Sequence, residues 1–284
     1  MEVASTIEEM RAFRRAMAGD IGFVPTLGYL HDGHLSLVRA AKKQNEHTVA
    51  SIFVNPTQFN NPDDFKRYPR DNDGDLAQLL EQGVDAVFMP SAEEMYPAGQ
   101  STSVDVGEVT ERLEGEHRPG HFRGVTTVVA KLFNVVRPTR AYFGRKDAQQ
   151  LVVIRRMVRD LHLGVEIVAM RTIRQADGLA LSSRNARLSP PEREAALVLS
   201  KALRLAAQRW QGGERNCNRL RDQMQSLISS EPLARVDYVS VADTETLQEL
   251  ESIEGEALVS LAVQIGDVRL IDNITLPSQV EELL

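Results

Sequence analysis

Cysteine is almost missing from this sequence. Cys217 is the single one in 284 residues, which excludes an intrachain disulfide and a cysteine-built zinc site. No catalytic context surrounds it, so it is expected to be a passive small side chain. Excess positive charge is missing too. With 33 basic against 40 acidic residues and a formal net charge of −7, the surface has no field that would hold a nucleic acid along its length. Apolar runs of membrane-spanning length are absent, and the opening MEVASTIEEMRAFRRAMAGD carries acids and lacks a signal-peptide core. A soluble cytoplasmic protein is expected, with neither membrane nor nucleic acid as a partner. Internal repeats and low-complexity tracts are lacking as well. What remains is 42% hydrophobic and 26% charged, enough for a real core in one large domain or two modest ones.

Up to about residue 170, short β-branched runs alternate with helical patterns, as in successive βα units on a parallel sheet. Strands are expected at 22–25, 48–54, 86–89, 141–143 and 165–169, and helices at 34–44, 71–82, 126–136 and 148–161. The pattern then changes. Ser189-Pro190-Pro191 opens a long helical stretch, and strands follow at 236–241, 257–265 and 268–271, the last two joined by the hairpin signal Gly266-Asp267. The expected fold is α/β: a Rossmann-like doubly wound parallel sheet over 1–175, followed by a smaller C-terminal α+β domain over 176–284.

Three segments could carry chemistry. The first, Leu27-Gly28-Tyr29-Leu30-His31-Asp32-Gly33-His34, joins the first predicted strand to a helix, where ligands lie in open α/β sheets. Gly28 allows a sharp turn, Gly33 a close backbone approach, and the helix N-terminus offers N–H groups to phosphates. His31 and His34, three apart, can aim donors at the same oxygens. In the second, Gly144-Arg145-Lys146-Asp147, Lys146 supplies a mobile cation for phosphate or is simply a solvated lysine, and Asp147 caps the next helix or joins the site. Gln149 and Gln150 follow with amides for a substrate hydroxyl or carboxylate. The third, Leu181-Ser182-Ser183-Arg184 at the domain junction, is either a triphosphate clamp or an ordinary interdomain turn.

Two further segments read as substrate walls or exposed turns: Asn55 to Phe59 with Gln58, and Arg118 to Gly124 with two arginines and His121. The acids Asp63, Asp64, Asp71, Asp73 and Asp75 read first as a solvated face.

Taken in order, PTLGYLHDGHLSLV, SIFVNPTQF, YPRD, HRPGHFRGVTTVVAKLFNVVRP, AYFGRKDAQQL, IRQADGLALSSRN, DYVSV and RLIDNI resemble the pantothenate synthetase family, within the HIGH-motif nucleotidyl-transfer superfamily, over nearly the whole chain. The resemblance implies an ATP-dependent ligase that joins pantoate to β-alanine through a pantoyl-adenylate, typically a Mg²⁺-dependent homodimer with a nucleotide fold similar to class I aminoacyl-tRNA synthetases. Carried over by position, it implies ATP contacts from residues 27–34, 144–147, Ile173 and 181–184. His34, His31, Lys146 and Arg184 would be catalytic; Gln58, Gln150 and Arg118 would bind pantoate; Gln58 would also meet β-alanine; and Asp73 or Asp75 would contribute to the metal. Leu27 stands where methionine is usual in the family, and Arg145 where glutamate or glutamine is usual.

Three rivals remain open at this stage. A small-molecule nucleotidyltransferase would use the same two-histidine loop but leave the nucleotide on its product. An aminoacyl-tRNA synthetase relative would want a basic tract, and an idle nucleotide-binding protein would hold ATP without releasing pyrophosphate.

Overall fold

In a computed structural model, residues 1–280 are described; the last four positions of the expected 176–284 domain lie outside them. Along the first part run β1 (Glu2–Ala4), α1 (Ile7–Ala16), β2 (Ile21–Thr26), α2 (Asp32–Gln44), β3 (His47–Ile52), α3 (Pro62–Arg67), α4 (Asn72–Glu81) and β4 (Ala86–Phe88). Then come α5 (Ala92–Met95), α6 (Glu114–His117), α7 (His121–Val136), β5 (Arg140–Gly144), α8 (Ala148–Asp160) and β6 (Glu166–Met170). The six strands form one sheet in the order β1-β4-β3-β2-β5-β6, and every pairing is parallel. Helices cover both faces, so β2 to β5 are almost wholly buried and read as apolar runs instead of alternating. This is the doubly wound, Rossmann-like sheet expected from the sequence.

The order of strands decides where a ligand fits. From β2 the chain builds outward through β3 and β4, then returns to add β5 and β6 on the other side of β2. The crevice at the carboxyl ends of β2 and β5 is therefore the topological switch point.

The remainder holds α9 (Pro190–Ala195), α10 (Leu197–Gln211), α11 (Cys217–Ser229), β7 (Ala234–Ala242), β8 (Ala257–Ile265) and β9 (Val268–Leu276). The last three strands make an antiparallel sheet in chain order, with the expected hairpin at Gly266. Residues from Leu179 to Val280 build a hydrophobic cluster of their own, into which Cys217 is buried. The smaller α+β unit thus has its own core.

Several boundaries differ from expectation. No sequence pattern marks β1, which is three residues long and buries only Ala4. Helix α2 starts at Asp32 instead of His34, because the His31 ring caps it. Helix α7 starts at His121, five residues before the predicted start, so part of the apparent glycine loop at 118–124 is helical. Gly120 turns the chain with φ 81°. Gly124, inside the helix, lets it approach the 55–58 segment: a Cβ there would stand 2.4 Å from the Thr57 carbonyl oxygen. Thirteen of the sixteen α7 residues are buried, which marks it as a central helix whose solvent stripe is narrow, carrying Arg123, Lys131 and Asn134. Finally, β9 continues to Leu276 instead of stopping at Ile271. Asp272 and Asn273 interrupt the apolar pattern but are buried with polar partners.

Candidate active site

The loop after β2 is held from beneath. Gly28 and Tyr29 both take left-handed backbone angles, φ 84° and 53°, and the buried Asp75 carboxylate on α4 accepts the N–H groups of Tyr29 and Leu30, each at 2.7 Å. A Cβ at position 28 would meet Asp75 Oδ2 at 3.0 Å, so glycine is favoured there both by φ and by space. His31 then caps α2: its Nδ1 accepts the Gly33 N–H at 3.1 Å, which leaves the proton of the neutral ring on Nε2. The His31 and His34 rings stack with centroids 4.0 Å apart. Burial, reinforced by Lys146, pushes the His31 imidazole down to about 4. Burial, then His31 and Lys146, push His34 down to about 3. Both rings are neutral at pH 7 and act as hydrogen-bond groups, not as cations. Nδ1 of His34 is buried and has no hydrogen-bond partner among the described residues.

Across the switch point, β5 ends at Gly144 and one turn of 3-10 helix carries Lys146, whose ammonium lies 4.0 Å from Asp147. Asp147 occupies the N-cap position of α8 but makes no capping bond, so the capping alternative is corrected. The third segment follows Ile173, whose carbonyl accepts the Leu181 N–H at 2.9 Å. Ser182 Oγ accepts the Arg184 N–H, and Ser183 Oγ donates to the Tyr29 carbonyl at 3.2 Å, tying this segment to the histidine loop. Arg184 pairs with Asp64 at 3.0 Å and lies over the Tyr68 ring, and Arg187 shares the same carboxylate at 2.7 Å.

All three segments line one cavity of about 1410 Å³, counting its open mouth. Leu27, His31, Gly33, His34, Gly144, Lys146, Asp147, Ile173, Leu181, Ser182, Ser183 and Arg184 are on its wall. Gly28, Tyr29, Leu30, Asp32 and Arg145 are not; of these, Gly28 to Leu30 form the turn that presents the histidines.

The same cavity is also lined by Gln58, Gln150 and Arg118 and by the apolar side chains of Val128, Val129 and Leu132. Asn55, buried, donates from Nδ2 to Gln58 Oε1 at 3.1 Å and accepts from the Tyr96 hydroxyl at 2.8 Å. With its oxygen so engaged, the buried Gln58 amide keeps its NH₂ for a ligand. His121 donates from Nδ1 to the Gln58 carbonyl at 2.7 Å and faces Arg118 through Nε2 at 3.3 Å. Burial, then Arg118, push its imidazole down to about 3. Burial, then the Arg184 charge, lower Arg118 to about 10, so it stays a cation at neutral pH. The half-buried Arg118 guanidinium already lies 3.7 Å from the Glu114 carboxylate, and a guanidinium with an amide donor on the same wall is chemistry suited to a carboxylate.

Two expectations are corrected by geometry. Gln149 does not face the cavity; it is buried and bonds the Glu114 N–H and the Val109 and Arg112 carbonyls. Asp73 and Asp75 do not form a metal cage. Asp73 is exposed on α4, both Asp75 oxygens are committed to backbone N–H groups, and among the described residues no cluster of three or more potential metal ligands exists. Asp64 and Tyr68 were missed as site residues: Asp64 reads as one more acid on a solvated face, and only the fold brings it to Arg184.

A family model described as pantoate-beta-alanine ligase matches residues 2–275. The chain belongs to that family. It is 57% identical to the pantothenate synthetase of Roseiflexus sp. strain RS-1, covering 97% of this chain and 99% of the relative. It is equally 57% identical to that of Herpetosiphon aurantiacus, over 97% and 100%. Among solved structures, pantothenate synthetase from Thermus thermophilus superposes with a TM-score of 0.92 at 48% identity, covering 96% of this chain and 99% of that one. Pantoate-beta-alanine ligase from Francisella tularensis, solved with beta-gamma ATP and beta-alanine, superposes with a TM-score of 0.81 at 37% identity, over 96% and 97%. Family membership makes this an enzyme of the pantoate–β-alanine ligase kind, and it removes the nucleotidyltransferase, tRNA-synthetase and idle-binder rivals.

Proposed function

We propose that the enzyme uses ATP to convert the pantoate carboxylate into a pantoyl-adenylate and then transfers the acyl group to the amine of β-alanine, giving pantothenate, AMP and diphosphate. A carboxylate does not accept an amine at neutral pH until its oxygen becomes a leaving group, and adenylation does that. The observation that carries the reading is the one cavity whose wall holds neutral imidazole donors, Lys146 and Arg184 together with the Gln58 and Gln150 amides and the Arg118 guanidinium. Pantoate held by Gln58, Gln150 and Arg118 presents its oxygen to the α-phosphorus, while diphosphate departs toward Lys146, Ser182, Ser183 and Arg184. His34 and His31 donate to the phosphoryl oxygens where charge builds. β-Alanine then arrives beside Gln58, in a pocket that keeps water from the mixed anhydride.

ATP contacts at residues 27–34, 144–147, Ile173 and 181–184 belong to the same reading, as do division into an ATP- and pantoate-binding domain over 1–175 and a lid over 176–284, a homodimer, and a cytoplasmic setting. Among the described residues no helix is long and apolar enough to cross a membrane. The Mg²⁺ implied by the family does not fit Asp73 and Asp75; such an ion commonly rests on substrate phosphates and water. Mass spectrometry after incubation with ATP and pantoate, with and without β-alanine, tests the route. The adenylate should form without the amine, and AMP should appear in step with pantothenate. Formation of ADP and phosphate would overturn it.

A further inference from the structure

We propose that Asp272 and Asn273, in the RLIDNI segment of β9, are positioning residues for adenylation: they lock the Lys146 turn and the strand leading to Ser182–Arg184 onto one rigid element. The proposal rests on the reading of Lys146 as a phosphate-binding cation. Both side chains are buried, at 2% and 5% exposure, where a β-strand would ordinarily carry apolar groups. Asn273 donates from Nδ2 to the main-chain carbonyl of Lys146 at 2.7 Å. Asp272 takes both terminal nitrogens of Arg174, at 2.6 and 2.9 Å, and its Oδ1 also accepts the Asn273 N–H at 2.8 Å. Arg174 in turn donates to the Gly178 carbonyl at 3.1 Å and bridges to Ala180, two residues before Ser182. One dipeptide therefore holds the Lys146 turn directly and reaches the strand leading to Ser182 through Arg174.

Packing alone does not explain this choice. Apolar side chains of the same volume would stabilise the strand as well or better than a buried ion pair. Hydrogen bonds add direction. Holding the Lys146 carbonyl fixes the peptide plane from which the lysine side chain projects, and the bidentate pair fixes the hairpin that carries Ser182. A charged group aimed at a transition state needs that support, because a displacement of about 1 Å can cost on the order of a hundredfold in rate.

The test is a double-mutant cycle on pantoate-dependent exchange of labelled diphosphate into ATP, using the full-length enzyme. Asn273→Ala should lower the exchange rate about tenfold when Lys146 is present, with KM for pantoate moving less than about twofold. In the Lys146→Ala background the same substitution should lower it less than about twofold. Asn273→Leu fills the space without a donor, so it should melt closer to the parent than Asn273→Ala yet lose the same exchange, and it serves if the alanine variant does not fold. Equal losses in both backgrounds, or no loss in a folded variant, would overturn the proposal while leaving the role of Lys146 intact. Unchanged exchange in Lys146→Ala alone would overturn both.

Discussion

At the scale of single residues, the neutrality of His31 and His34 is the informative feature. The sequence marks both as hydrogen-bond donors, and burial keeps both uncharged, with values of about 4 and about 3. In the proposed mechanism their contribution is directional hydrogen bonding that strengthens as charge builds. His34→Ala should therefore cut turnover by at least about a hundredfold in a folded variant; near-normal turnover would remove the assignment. The same low values have a stability consequence, clearest at the buried His121. The unfolded chain takes up its proton near 6.5 while the folded chain refuses it until about 3. This contribution is therefore harmless above pH 6.5 and destabilises progressively as pH falls toward 3, by about 2 kcal/mol at pH 5. Urea unfolding at pH 7 and pH 5 should show a smaller acid loss for His121→Gln than for the parent, and equal losses would contradict the buried neutral ring. Asp75 separates two chemistries. As the support of the Tyr29–Leu30 turn, Asp75→Asn should lose about 1–3 kcal/mol of stability and raise KM for ATP without changing the Mg²⁺ requirement. A Mg²⁺ requirement raised about tenfold or more would restore it as a metal ligand.

Elements show how much of the site was legible in the sequence. The strand-to-helix loops bearing His31, His34 and Lys146 were readable because buried parallel strands and amphipathic helices punctuate the chain clearly there. Ser182–Arg184 was readable as a polar loop at the expected domain junction. Helix α7 was not fully legible: Arg118-Pro119-Gly120 and Gly124 look like one glycine loop, whereas only Gly120 turns the chain and Gly124 allows helix and loop to touch. Gly124→Ala should destabilise by about 1–3 kcal/mol through the forced shift of the Thr57 backbone, and should raise KM for pantoate because Gln58 is the next residue. Thermal melting and steady-state kinetics check both effects; a variant unchanged in both would deny the close approach. Asp64 shows the opposite limit, since nothing local marks an acid whose partners, Arg184 and Arg187, lie about 120 positions further along.

For the whole molecule, topology accounts for convergence. Reversal of strand order at β2 sets the histidine and lysine loops on opposite sides of one crevice, and the C-terminal sheet meets the lysine loop from outside through Asn273. On β9, Arg269 grips Glu114 with both terminal nitrogens, at 2.7 and 2.8 Å, beside Arg118. These long-range ion pairs were invisible in sequence because each joins segments more than 90 residues apart. The most direct measurement is a crystal structure with a non-hydrolysable ATP analogue and pantoate. The triphosphate should touch His31, His34, Lys146 and the Ser182–Arg184 segment together, with the pantoate carboxylate aimed at the α-phosphorus beside Gln58. A triphosphate bound outside this cavity, or one reached by only one of the three segments, would contradict the account.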